Sequence, residues 1–171
     1  LDGAGNLVST SNGTAITATI ASGPGGGSLG SATASTVSGV ASFSGLNLTG
    51  TAGSYTLSFG GTGLTPAVSS TIALGAGGAT QLAVTTQPSA TASNAQAFAQ
   101  QPVVQLQDNG GNPVNQANIP VTASIFSGGG TLGGTATVNT NANGQAVFTN
   151  LTITGTVGSR VLHFASGVLS I

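Results

Sequence analysis

Cysteine, methionine, tryptophan, lysine and glutamate are missing from this chain of 171 residues, and charge of either sign is nearly missing too. Without cysteine there is neither a disulfide nor a thiolate site. The one basic residue, Arg160, cannot neutralise a run of phosphates, which excludes nucleic acid as a partner. It equally cannot hold the chain to an anionic membrane. Two acids, Asp2 and Asp108, and one histidine, His163, are too few for a metal cage of the usual kind. No apolar run reaches the length of a bilayer-crossing helix. Charged residues are 2% of the chain, against about 25% in an ordinary globular domain. A surface this neutral lacks the repulsion that keeps soluble monomers apart. It suits a permanent assembly, or a surface covered by glycans.

What is present is 39% apolar residues and 29 glycines, with Ser, Thr, Ala and Asn making up most of the rest. That apolar content is enough for a core and argues against charge-driven disorder. The chain also repeats itself. "FSGLNLTGTAGSYTLSF" from Phe43 matches "FTNLTITGTVGSRVLHF" from Phe148, and "ITATIASGPGGGSLG" from Ile16 matches "VTASIFSGGGTLG" from Val121. The two acids recur in the same setting, "LDGAGN" at the start and "LQDNGGN" at 106–112. A period of about 105 residues has the size of a β-sandwich domain. In this setting Asp2 and Asp108 read as turn formers, because Asp and Asn bond their own backbone and Gly tolerates positive φ. A calcium site would need more carboxylates than one per repeat.

Alternation with period two marks strands with one buried face. Ile16, Ala18 and Ile20 alternate with threonines, and Val121, Ala123 and Ile125 repeat the pattern. Strands are expected near 81–86, 97–107, 119–126, 131–138, 144–149, 151–154 and 159–165, with a last one starting near Val168. The expected core is Ile16, Ile20, Phe43, Leu57 and Phe59 in the first repeat. In the second it is Val121, Ile125, Phe148, Leu162 and Phe164. Glycine-rich "GAGGAT" at 75–80 reads as the linker, giving domains 1–77 and 78–171. The first repeat has no counterpart of the strands expected at 81–86 and 97–107.

The order "TQP", "D-x-x-G-N-P-V", "V-T-A-S-I", "G-x-A-x-F-x-x-L" and "G-T-x-G-S-Y-x-L-x-F" resembles bacterial immunoglobulin-like repeats of the invasin and intimin type. The resemblance covers the whole chain in two copies. It implies an all-β fold of two tandem immunoglobulin-like β-sandwiches, the first lacking its N-terminal strands within this chain. It also implies an extracellular stalk, adhesin, pilus or other fibre at the cell surface. It departs at one place, where the tyrosine of the penultimate strand, Tyr55, is replaced by Arg160.

No catalytic, cofactor-binding or metal-binding residue is assigned. Acid–base catalysis needs paired titratable groups within hydrogen-bond reach, and the two Asp residues occupy equivalent places in separate repeats. His163 alternates with inward-facing neighbours and is expected to face out. No G-x-S-x-G elbow occurs, and the glycines at 23–27 lack the Lys of a phosphate loop. Asn12, Asn47 and Asn150 each begin an N-x-S/T sequon and are candidate glycosylation acceptors. The expected function is that of a structural shaft segment of an extracellular filament or adhesin, not an enzyme, with no small-molecule substrate. Its partners are copies of itself or neighbouring repeats in a head-to-tail polymer. The alternative is an adhesive module recognising glycan or a host protein.

Overall fold

The computed structural model describes residues 1–167 and 169–171. All regular structure among them is β. The chain divides into two compact units, Leu1–Gly75 and Ala76–Ile171, two residues before the boundary read from the sequence.

In the first unit the strands are β1 (Ala15–Ser22), β2 (Ser28–Gly30), β3 (Thr33–Val37), β4 (Val40–Ala41), β5 (Asn47–Thr49), β6 (Gly53–Gly60), β7 (Ala67–Val68) and β8 (Ile72–Leu74). The main sheet has the order β4-β3-β1-β6-β7, with β8 also pairing β6. β2 and β5 form a separate antiparallel pair. Threonines alternate with aliphatic residues in β1, and Ser or Thr alternates with Tyr55, Leu57 and Phe59 in β6; β-branched and aromatic residues pack well on a pleated surface. β3 and β4 are joined by Ser38 and Gly39, both at positive φ, 50° and 83°. That is the backbone twist a two-residue hairpin loop requires, and it holds β4 tightly on β3.

In the second unit the strands are β9 (Gln81–Thr86), β10 (Val103–Gln107), β11 (Pro120–Ser127), β12 (Thr131–Gly133), β13 (Thr137–Asn139), β14 (Gln145–Val147), β15 (Thr152–Thr154), β16 (Val161–Ser166) and β17 (Leu169–Ser170). A sheet of order β13-β11-β16-β17 and a sheet of order β14-β10-β9 are joined through one apolar core, and β12 pairs β15. Leu82, Val104, Leu106 and Ala146 meet Val121, Ala123 and Phe164 there, all nearly inaccessible to solvent. This is the layered arrangement of an immunoglobulin-like sandwich.

Several strands differ from the sequence reading. The strand expected at 97–107 is regular only from Val103, because Pro102 has no N–H for a ladder; upstream of it only Ala97 bridges, to Thr152. The strand expected at 131–138 is broken into β12 and β13 after Gly133-Gly134, where Gly134 has φ of 85°. The strand expected to start near Val168 begins at a residue outside those described.

The sequence repeat is a repeat in three dimensions. Ala18 pairs Phe59 and Ile20 pairs Leu57, with a register shift between Ile20 and Ser22. Ala123 pairs Phe164 and Ile125 pairs Leu162, with the same shift between Ile125 and Ser127. The rings of Phe43 and Phe59 meet edge-on with centroids 5.3 Å apart, and those of Phe148 and Phe164 meet at 5.4 Å. A buried threonine clasps the entry to the first long strand in each copy. The Oγ1 of Thr36 accepts from the Thr14 N–H, and that of Thr140 accepts from the Ile119 N–H.

The units differ where β9 and β10 stand. Within residues 1–75 no strand takes their place, and β4 lies on β3 where its counterpart β14 lies on β10. The burial follows. Val121, Ala146, Phe148, Leu151 and Phe164 are at most 2% exposed. Their counterparts Ile16, Ala41, Phe43, Leu46 and Phe59 are only half-buried. The expected first-unit core is therefore corrected: of its five residues only Leu57 is buried, and Ala18 and Tyr55 are the other buried hydrophobics there. Ile20, Ile125 and Leu162 are likewise half-buried, all three at or opposite the register shift.

Candidate functional site

The residues with chemistry fall into separate places. Asp108 directly follows β10 and closes a turn with its own carboxylate. Its Oδ1 accepts from the backbone N–H groups of Gly110 (2.8 Å) and Asn112 (2.9 Å). Its Oδ2 accepts from the Asn112 amide (3.0 Å) and the Gly77 N–H (2.8 Å). Asp2 repeats the geometry, Oδ1 accepting from Ala4 and Asn6 and Oδ2 from the Asn6 amide. The Asp2 carboxylate is thus spent on N–H donors within its turn, and that of Asp108 on donors of its turn and on the Gly77 N–H. Among the described residues no group of three or more His, Cys, Asp or Glu side chains is placed to share a cation.

The side-chain hydrogen bond from Asn112, then the N–H groups of Gly77 and Asn112, lower the Asp108 pKa from 3.8 to about 2. The Asn6 backbone N–H, then its side chain, lower that of Asp2. A carboxyl whose pKa is lower folded than unfolded lends stability that is complete above the unfolded value and lost as pH falls towards the folded one. Melting of the second unit is therefore expected to be level from pH 7 down to about 5 and to fall between about pH 4 and 2. An Asp108→Asn variant followed by the same pH series checks the assignment, because it removes that acid limb. The substitution also has a cost that the turn alone does not reveal. Asp108 faces four donors, and an amide in its place sets an NH₂ against two of them. We expect a measurable loss of stability, because two donors are left without an acceptor, read by denaturant titration.

Tyr55 is fully buried, and its hydroxyl donates to the Thr51 carbonyl oxygen at 2.7 Å. This is the tyrosine-corner arrangement of sandwich domains, in which the hydroxyl ties back to a carbonyl a few residues upstream. Arg160 occupies the same place in the second unit. It donates to the carbonyl oxygen of Thr156, the counterpart of Thr51, and to that of Ser159. The contact that Tyr55 makes with Thr51 is thus kept in the second unit by a different donor.

His163 is half-buried, with its ring 6.2 Å from that of Phe126, which is 75% exposed. The expectation that His163 faces away from the core matches its place beside this exposed ring. Asn12, Asn47 and Asn150 are all exposed. The amide of Asn12 donates to the Thr10 carbonyl and that of Asn150 to the Thr135 hydroxyl. The sequence reading did not find a cleft of about 560 Å³ lined by Ser89, Asn94, Phe98, Ile153, Thr156 and Arg160, among others. Ser89 Oγ and Arg160 Nε are buried without a hydrogen-bond partner. No motif announces this cleft, because it is assembled from two loops more than sixty residues apart, near 88–94 and 155–160.

A solved structure described as the D0–D1 domain of intimin aligns with this chain at 17% identity and a TM-score of 0.36, covering 100% of this chain and 82% of the other. No curated protein matches the chain. Residues 77–169, more than half of the chain and nearly all of the second sandwich, match the family described as SMCHD1 Ig-like domain 6. The chain belongs to that family of immunoglobulin-like domains.

Proposed function

We propose that this chain is a structural segment of an extracellular bacterial filament or adhesin shaft, built from immunoglobulin-like domains in tandem. One observation carries the reading: two copies of one sandwich repeat share strand register, bulge position and aromatic pair, offset by one domain length. Selection for a repeated scaffold keeps such features, whereas a reaction centre would concentrate titratable groups in one copy. The few ionisable groups here are distributed over two turns, a corner and the strand β16, and each acid is engaged by backbone donors. Neutral surfaces add little electrostatic resistance to stacking. The partners are copies of the chain or neighbouring repeats arranged head to tail, at the cell surface. Electron microscopy of the native source tests this: regular filaments labelled by an antibody to residues 1–171 are expected, and labelling confined to isolated globular tips would overturn it.

A second reading, an adhesive module for glycan or a host protein, draws on the cleft beside Arg160. It combines an apolar floor at Phe98 and Ile153 with polar groups at its rim, the mixture usual in ligand sites. Glycan-array binding by the wild type, lost in Arg160→Ala but kept in Asp108→Asn, which weakens the same unit without touching the cleft, would favour it over the shaft.

A further inference from the structure

We propose that the cleft between the loops near 88–94 and 155–160 is a site for a carboxylated sugar, whose carboxylate meets the guanidinium of Arg160. This deepens the adhesive reading given above and rests on it.

The first observation is a cation without a counter-charge. Arg160 is the chain's one basic residue, is half-buried and lines the cleft. Two of the five N–H groups of its guanidinium go to the carbonyl oxygens of Thr156 and Ser159. The Nε–H is buried and has no acceptor. Asp108, the one acid of this unit, spends both oxygens on Gly77, Gly110 and Asn112, so no side-chain carboxylate of the unit is left for Arg160. A half-buried charge is costly until it is paired, and the guanidinium fork matches a carboxylate with parallel bonds.

The second observation comes from the repeat. Tyr55 holds the equivalent place in the first unit. Its ring lies against Gly23 and Gly27 and its hydroxyl is bonded to Thr51. Arg160 lies against Gly128 and Gly130 and is bonded to Thr156. The corner is served by a phenol in one copy and a guanidinium in the other, so its fold does not require the charge.

The third observation is that the cleft is built before any ligand arrives. Asn94 Oδ1 accepts from the Gly155 N–H at 2.9 Å, and the Ala95 N–H donates to the Ile153 carbonyl oxygen at 2.9 Å, which ties the two loops together. Ala95 is held at φ of 62°, a conformation that costs an L-residue and that recurs at ligand clamps. A Cβ at Gly158 would stand 3.1 Å from Arg160 Nη1, and one at Gly155 3.5 Å from Nη2. Two glycines thus leave room around the charged end. The volume of about 560 Å³ lies within the range of small-molecule sites, about 300–1,000 Å³.

The rest of the lining sets the class of ligand. Ser89, Thr91, Ser93, Asn94 and Ser159 offer short hydroxyls and an amide over the apolar floor of Phe98 and Ile153. Ser89 Oγ is buried without a partner. A hydroxyl both donates and accepts, so this lining suits the ring hydroxyls of a sugar, and the floor suits its C–H face. A peptide carboxylate would meet the arginine too, but the peptide's side chains would leave most of these hydroxyls unused.

The test titrates the chain with a trisaccharide ending in glucuronate, with the methyl ester of that sugar and with its neutral glucose analogue, read by residue-resolved amide shifts. The acid is expected to shift amides of 88–94 and 155–160. It is expected to bind about tenfold or more tightly than the other two, by a margin that shrinks as salt is raised. Arg160→Tyr installs the residue of the first repeat and is expected to keep the fold and lose the margin. If that variant fails to fold, Val157→Glu decides. Val157 is fully exposed at the rim, so the change spares the core, and the new carboxylate is expected to compete for Arg160 and weaken the acid about tenfold. Equal binding of acid and ester, or an acid unaffected by Val157→Glu, would overturn the carboxylate and leave the adhesive reading standing. Tighter binding by a peptide with a free C-terminal carboxylate, lost on amidation, would overturn the sugar. Silence of the cleft amides with every probe at millimolar concentration overturns the proposal, and a glycan array without binding then counts against the adhesive reading as well.

Discussion

Phe148→Ala is expected to lower the stability of the second unit by about 3–5 kcal/mol, the range for truncating a buried aromatic. Phe148 is 1% exposed, lies against Phe164 and belongs to the one continuous core of its unit. Its removal leaves a cavity walled by both sheets, which cannot collapse without parting their ladders. The counterpart, Phe43→Ala, is expected to cost only about 1–2 kcal/mol, because a half-buried ring has less apolar area to return to water. The same substitution at equivalent places in the two repeats thus differs in cost. Denaturant titration followed by residue-resolved exchange separates the units. Equal costs would mean that the first face is covered after all.

Gly144→Ala is expected to cost roughly 3–4 kcal/mol, for two reasons that add. Gly144 has φ of 72°, a left-handed conformation that costs an L-residue roughly 1–2 kcal/mol. A Cβ there would also stand 1.8 Å from the Val114 carbonyl oxygen. That oxygen is main chain, so it yields only if the segment after the Asp108 turn moves. The movement would disturb the buried Gln105 amide, which donates to the carbonyl oxygens of Asn143 and Leu106. Gly111→Ala is the control. It has a similar φ, 78°, but open space where the Cβ would lie, so it carries only the conformational part. A Gly144→Ala variant as mild as Gly111→Ala would refute the packing account.

The strands that period two marks are the ones that formed most regularly. β1 and β11 alternate apolar and threonine or serine residues over the five positions Ile16–Ile20 and Val121–Ile125, and the repeat itself placed the acids and the missing leading strands. Burial was less legible. Ile16 and Phe59 have the pattern of core residues, but burial depends on a facing sheet, and sequence alternation says which side a residue takes without saying whether anything lies opposite. The switch of β14 from the first sheet to the second was also invisible. It depends on the loop Thr140–Gly144, longer than the Ser38-Gly39 turn of the first repeat, which frees β14 to reach β10. Arg160 shows the converse. The residue type departs from the repeat, but the backbone carbonyl awaiting a donor is the same, and a guanidinium reaches it as well as a phenol does.

That arginine gives the chain an unusual property towards proteases. With lysine absent and arginine present once, a trypsin-like enzyme has a single bond to cut, the one after Arg160. Its guanidinium is tied to two carbonyl oxygens of the corner, and the bond leads directly into β16, the strand paired with both β11 and β17. Cutting therefore waits for the corner to open, and the rate of appearance of two fragments times the breathing of one strand in one repeat, with no label attached and no contribution from the other.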